Sequence, residues 1–344
     1  MRRIACVVVT GGVVVLLGCD ATSPVTSFGA SATSLTASIA FESNREGSPS
    51  IYLANGDGTG VTRLVPGMAP AWSRDGSRIA YYSDGQMGTP DVYVIDPDGS
   101  HERYLVSGQD PVWGPGDREI AYRGNGGIFA IAADGSTPPR MLIPDDLALP
   151  RPEGWSDADH DPGWDESPVW SPNGDQIAFL RVDPINWDWG ADRNMYVINV
   201  DGSNLRLLGR SCKIPPPGTG SLPCPVTSLA WSPSGSSLAL STYDIDTETG
   251  ALDPALGLVA ANFDPNSGDQ MDVLYHGIEN YLGHPQWSAD GSAIIFDAHP
   301  DPASGLRILA LSLASRAIKQ LIPEAAPPAL ATYQDEHAVW RPGR

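Results

Sequence analysis

Residues 168–179 read Pro168-Val-Trp170-Ser-Pro-Asn-Gly174-Asp-Gln-Ile177-Ala-Phe179, and the same phrase returns along the chain. A short strand carries the Trp, an Asn-Gly or Asp-Gly turn follows, and Ile-Ala-Phe/Tyr begins a second strand. That is hairpin chemistry. The other copies begin at Pro70-Ala-Trp72, Pro111-Val-Trp113, Leu229-Ala-Trp231 and Pro285-Gln-Trp287, with a truncated Ala338-Val-Trp340 at the end. After the second strand comes a variable gap. A third strand such as Val92-Tyr-Val-Ile95 then leads through Asp-Gly-Ser to a fourth such as Arg103-Tyr-Leu-Val106.

The tryptophans stand at 72, 113, 170, 231, 287 and 340, so the gaps are 41, 57, 61, 56 and 53 residues. A four-stranded propeller blade takes about 40–45 residues, so the shortest repeat is a bare blade and the others carry insertions. The first strands, around Ile39-Ala-Phe41 and Ile51-Tyr-Leu53, have no Trp strand before them, and the Trp340 strand has none after it. Pairing these ends completes a sixth blade and removes the open sheet edge. The expected fold is all-β, a six-bladed β-propeller over residues 38–344 closed by its N- and C-terminal strands.

At these residues the chain resembles the TolB-type, WD40-like propeller repeat known as PD40. The resemblance implies the fold and an extracytoplasmic compartment. The α/β domain that precedes the propeller in TolB has no counterpart here, so the role of TolB itself is not implied. The same repeat caps prolyl oligopeptidase-type peptidases, but no Gly-x-Ser-x-Gly elbow occurs in this chain.

The N-terminus sets the compartment. Arg2 and Arg3 precede an apolar run from Ile4 to Leu17, and Leu16-Leu17-Gly18-Cys19 follows. A basic start, a short apolar stretch and a small residue mark a secretory signal over residues 1–18. The run is too short for a spanning helix. Leu-Leu-Gly-Cys resembles the lipobox of bacterial lipoproteins, which implies lipid on Cys19. Residues 19–37, rich in Ser, Thr and Ala, read as a tether spanning roughly 25 Å as a coil. Cys212 and Cys224 bracket a Pro/Gly-rich loop. In an oxidising compartment a disulfide is the default expectation, with a metal site and two free thiols as its rivals; no further sulfur or histidine lies nearby in sequence to complete a zinc site.

The chain carries a net charge of −20. That excludes nucleic acid as a partner, since phosphate binding needs a basic footprint. Membrane attachment would have to come from the lipid.

The turn after the Trp strand and the turn after the third strand share one face and are uniformly short. Every long insertion falls on the other face, which is therefore the expected binding face. Residues 144–167 hold Trp155, Trp164, Asp157, Asp159, Asp161, Asp165 and Glu166, and the next loop on that face adds Trp187, Asp188 and Trp189. Six of the ten tryptophans belong to the repeat, so these four are the remainder. Indole faces suit sugars or cationic groups, and clustered carboxylates suit Ca²⁺ or a basic partner. The alternative is that the rings pin the loops while the acids are solvated.

A second constellation sits on the axis. Three positions before each repeat Trp stand Ala69, Asp110, Ser167, Ser228, His284 and His337. His284, His337 and Asp110 could hold a transition metal; a water-filled polar channel is the alternative.

The expected protein is thus an exported, lipid-anchored binding module for an envelope protein or glycan, facing the periplasm or cell exterior. A metal-dependent lyase or hydrolase with an axial histidine site and a TolB-like envelope assembly scaffold are its rivals. If Cys19 is the anchor, Cys19→Ala should yield an exported protein that leaves the membrane fraction in a high-salt wash. A variant that stays with the membranes would place the anchor elsewhere.

Overall fold

The computed structural model describes residues 7–10, 13–16, 39–85, 89–145, 164–183, 192–209, 224–245, 252–262, 271–276, 282–298, 307–322 and 335–342. The chain divides into two units, Met1–Thr33 and Ser34–Arg344. In the first, the apolar stretch Val7–Thr10 pairs antiparallel with Val13–Leu16, a short hairpin whose strands are β-branched except at Leu16.

The second unit is six four-stranded antiparallel sheets. Blade 1 consists of Asp335–Trp340, Ile39–Ser43, Ser50–Ala54 and Thr62–Pro66. Its innermost strand comes from the end of the chain, with Trp340 opposite Ile39 and Asp335 opposite Ser43. This is the closure expected from the incomplete repeats. Blades 2 to 6 follow in order, with innermost strands Met68–Trp72, Gln109–Trp113, Trp164–Trp170, Cys224–Trp231 and Leu282–Trp287.

The Ile-Ala-Phe/Tyr phrase has a packing reason. Side chains alternate across a strand, so Ile and the aromatic share one face and Ala takes the other. In blade 4, Ile177 and Phe179 pack with Ile128 and Ile143 of blade 3. Ala178 and Leu180 point the other way, to Val226, Leu229 and Trp231 of blade 5. The same division recurs at every junction, and six buried clusters result, each shared by two neighbouring blades. At the closing junction Ile295 replaces the small residue, and blade 1 answers with Ala338.

Three of the six repeat tryptophans add a polar stitch to this packing. Trp113 Nε1 donates to the Ala71 carbonyl at 3.0 Å, Trp231 Nε1 to Val169 at 3.2 Å and Trp287 Nε1 to Ala230 at 3.2 Å. Each acceptor belongs to the preceding blade and lies one residue before that blade's own Trp.

The tight turns are built alike. In Asp75-Gly76-Ser77, Asp75 Oδ1 accepts from the Ser77 N–H at 2.8 Å and from the Ser73 and Ser77 hydroxyls at 2.7 Å. These bonds, led by that from Ser77, hold the Asp75 carboxyl down to about 2. Gly76 adopts φ 67 with Arg341 against it; a Cβ there would lie 2.8 Å from Arg341 Nε. On this same face Arg74 reaches from blade 2 past blade 3 to the Pro172 carbonyl of blade 4, at 2.8 Å.

Several segments expected as loops are partly strand. In blade 4, Val182 pairs with Arg193 and Asp183 with Asp192. In blade 5, the strands Ser237–Ile245 and Leu252–Ala260 pair to their ends at Ile245 and Leu252. The hairpin ladder simply continues into the insertions, where β-branched and aromatic residues such as Val182, Thr242 and Tyr243 support it.

Phe179→Ala should cost about 3–5 kcal/mol by deleting a wholly buried ring, and Ala178→Leu about 1–3 kcal/mol by overpacking the opposite junction. Denaturant unfolding measures both. A loss below about 1 kcal/mol for Phe179→Ala would refute the two-faced packing of the blade.

Candidate functional site

In five of the six innermost strands an extra residue breaks the ladder just before the Trp. The register shifts fall between Met68 and Ala71, Gln109 and Val112, Glu166 and Val169, Gly283 and Gln286, and Glu336 and Val339. These are β-bulges, devices that re-aim a side chain at a sheet rim. The bulged residue is left-handed in each case: Ala69 φ 46, Asp110 φ 53, Ser167 φ 53, His284 φ 45 and His337 φ 52. A non-glycine residue in this region costs on the order of 1 kcal/mol, so the ring of bulges is held in place by the blades around it. In blade 5 the shift lies between Val226 and Ser228.

These five residues and Ser228 line one axial cavity of about 650 Å³, together with Glu166 and the repeat tryptophans Trp72, Trp113, Trp287 and Trp340. The cavity runs between the innermost strands of all six blades.

A polar layer lies behind the histidines. His284 Nδ1 is 2.6 Å from Asp297 Oδ2, and the same oxygen accepts the His337 backbone N–H at 2.9 Å. Asp297 is fully buried in the second strand of blade 6, while the His284 side chain is 27% exposed. One carboxylate thus ties blade 6 to the closing strand of blade 1. The His284 N–H donates to Ser228 Oγ at 2.7 Å, and Ser228 Oγ lies 2.6 Å from Ser241 Oγ. The Ala69 N–H donates to Glu42 Oε2 at 3.1 Å, and His337 Nδ1 is 3.3 Å from that oxygen. Bulge N–H groups that a regular ladder would have used are received by side chains of the preceding blade.

The electrostatics follow from this burial. Burial and the neighbouring His337 lower the His284 pKa, with Asp297 opposing them. That shift favours the neutral ring. With Nδ1 donating to Asp297, its Nε2 is left as an acceptor. Burial raises the Asp110 carboxyl; Glu166 adds to the rise, and His337, Arg123 and His284 oppose it.

The expected metal trio takes a different form. Among the described residues no group of three or more His, Cys, Asp or Glu side chains is placed to hold a metal ion. His284, His337 and Asp110 share the cavity, but the imidazoles lie one over the other, with centroids 3.7 Å apart and planes at 35°. Stacking draws the ring faces together, and His284 Nδ1 is already engaged by Asp297.

The outer cluster is placed only in part. Trp155, Asp157, Asp159, Asp161, Trp187, Asp188 and Trp189 lie outside the described residues, as do Cys19 and Cys212. Trp164 and Asp165 belong to the innermost strand of blade 4 rather than to a loop, opposite Val182 and Arg181. Cys224 likewise opens the innermost strand of blade 5, opposite Tyr243. Their side chains are outside the described set. Glu166 moves from the outer acid cluster to the axis.

Sequence reasoning missed Glu42, Ser241 and Asp297. The signal was present: each follows the last residue of the Ile-Ala-Phe phrase, as in Phe41-Glu42 and Phe296-Asp297. A charged residue in an otherwise apolar strand marks a buried partner.

The fold is TolB-like. The chain is similar to TolB from Acinetobacter baumannii, with a TM-score of 0.63 and 15% identity over 90% of this chain and 68% of that one. A protein described as TolB from Agrobacterium tumefaciens matches with a TM-score of 0.53 and 14% identity, over 83% and 89% of the two chains. A chain of a nidogen/laminin complex matches at 0.56 and 13%, over 87% and 98%. No family model matches the sequence, and no curated protein matches it either. At these identities the likeness is one of fold.

Asp297→Ala would strand the His284 Nδ1 and His337 N–H donors in a buried site, with an expected cost of about 1–3 kcal/mol for each. Asp297→Asn keeps the shape and one acceptor and should cost less. Equal losses for the two variants in chemical denaturation would show that Asp297 acts through volume and not as an acceptor.

Proposed function

We propose that the protein is an exported, lipid-anchored propeller that binds a cell-envelope protein or glycan with its insertion-bearing face. The observation that carries this reading is the asymmetry between the two faces. On one, each turn is closed by local hydrogen bonds such as those of Asp75 and Asp98. On the other stand the long insertions, with the blade 4 and blade 5 hairpins continued into them. Variable segments on a rigid frame are where binding residues collect.

Other features support the same reading. The net charge of −20 suits a basic or uncharged partner and opposes nucleic acid. The Leu16-Leu17-Gly18-Cys19 stretch supports export and a lipid anchor. The TolB-like fold is in keeping with a binding or scaffold role, and an envelope location accords with it.

Trp155, Trp164, Trp187 and Trp189 are the rings assigned to the contact, beside Asp157, Asp159, Asp161, Asp165 and Asp188. An indole left in water gains nothing, so each either packs on the propeller or meets a ligand. The neighbouring carboxylates make full burial of these segments costly, which favours open ring surface beside acidic groups. That surface suits stacking on a sugar ring or on a basic protein segment.

Trp187→Ala combined with Trp189→Ala should weaken cosedimentation with isolated sacculi or with solubilised envelope proteins by at least about tenfold, with the Tm nearly unchanged. A loss of several degrees in Tm with binding intact would make the rings loop anchors and remove them from the proposed surface.

A further inference from the structure

The axial cavity holds the parts of an acid–base site, and His284 supplies the base. Its Nδ1 is 2.6 Å from Oδ2 of the fully buried Asp297. That oxygen is fixed in turn by the His337 N–H at 2.9 Å. A buried carboxylate on Nδ1 sets the tautomer and supports the ring when Nε2 takes up a proton. The hydrogen bonds of His284 among the described residues are this contact and its backbone N–H to Ser228, so Nε2 is not engaged. The partly exposed side chain lies on the cavity wall. Stacking by His337 uses a face of the imidazole, not its nitrogen edge.

Asp110 faces this base. Blades 3 and 6 stand opposite each other in a ring of six, and Asp110 and His284 occupy the same bulge position on their innermost strands. The Asp110 carboxyl has one marginal hydrogen bond among the described residues, 3.4 Å from Gln109 Nε2. A carboxylate with so little compensation is costly to ionise. Burial therefore raises its pKa; Glu166 adds to the rise, and His337, Arg123 and His284 oppose it. The carboxyl is biased toward its protonated form, which can donate. A base biased to neutrality and an acid biased to neutrality, on facing walls, are what proton transfer requires. The cavity of about 650 Å³ has room for an organic molecule. No lysine or arginine lines it, so an anionic substrate would lack a counter-charge beside Asp110 and Glu166. A neutral imidazole is the base that activates water against a carbonyl carbon.

We propose that the axial cavity hydrolyses uncharged carboxylic esters, with His284 as general base, Asp110 as donor to the carbonyl oxygen and Asp297 as the residue that positions His284. His284 Nε2 takes a proton from water as the water oxygen bonds to the carbonyl carbon. The oxyanion that forms accepts a hydrogen bond from Asp110. The imidazolium then gives its proton to the leaving alkoxide as the C–O bond breaks, so ester and water become acid and alcohol. The site is independent of any partner on the insertion-bearing face, so it stands or falls separately from the proposed envelope binding.

The test is turnover of p-nitrophenyl acetate by the whole protein as a function of pH. Saturable turnover is expected. It should rise with pH as His284 loses its proton, along a limb below the ordinary imidazole value, and fall as Asp110 loses its own. His284→Asn should lower kcat/KM by at least about a hundredfold, and asparagine tolerates the left-handed backbone at that position. Asp297→Asn should lower kcat by at least about tenfold with KM nearly unchanged, because the tautomer is no longer set. Asp110→Asn keeps a donor, so it should retain most of the turnover while the alkaline fall disappears. A purely structural role for Asp110 would leave that fall in place and overturn its assignment. Should His284→Asn fail to fold, the kcat loss of Asp297→Asn decides. Turnover no faster than that of the unfolded chain, or a saturable rate indifferent to both His284→Asn and Asp297→Asn, overturns the proposal.

Discussion

No blade of this protein can bury its apolar surface alone, and the rest of the architecture follows from that constraint. A four-stranded sheet has two faces, and here both are apolar. Ile177 and Phe179 need blade 3, while Ala178 and Leu180 need blade 5. The need passes from blade to blade and is met in full only when the last meets the first, where Ile295 and Ile308 of blade 6 pack on Ile39 and Phe41 of blade 1. The large-small-large order of the second strand makes the junctions interlock, since each blade presents bulk to one neighbour and a recess to the other.

The central cavity is a by-product of the same geometry. Six innermost strands arranged about an axis cannot all touch, and the bulges before each Trp turn six further side chains into the space that remains. Backbone donors freed by the bulges would be orphaned without help. Glu42, Ser228 and Asp297 supply that help from the preceding blade. The polar character of the axis thus originates in a backbone requirement, and any ligand chemistry there is built on it.

This history explains what could be read from the sequence and what could not. The blade count, the closure and the six axial positions were legible because they recur at a fixed offset from Trp. Asp297 was marked as a charged residue in an apolar strand, but the backbone N–H it receives belongs to His337, 40 residues away in the closing segment, and no local pattern names that partner. Trp164 and Glu166 were assigned to a loop because an insertion has no repeat to compare with; the blade 4 ladder decides where the strand begins. The metal expectation rested on His284 and His337 lying close, which they do. Proximity does not set ring orientation, and Asp297 turns one imidazole so that it stacks on the other.

Closure by the two extremes of the propeller also has a kinetic side. Among the propeller's described strands, Asp335–Trp340 is synthesised after all the others and its partner Ile39–Ser43 before them. Until it arrives, five complete blades and one three-stranded remnant form an open stack with unpaired strand edges at blade 1. Joining positions about 300 residues apart costs on the order of 5 kcal/mol in chain entropy, recovered only when the final junction packs. Such non-local pairing makes for slow folding and a long-lived, aggregation-prone intermediate. A permuted chain that began at Asp335 and continued into Ile39 would turn this last step into a local hairpin and shorten the life of that open form.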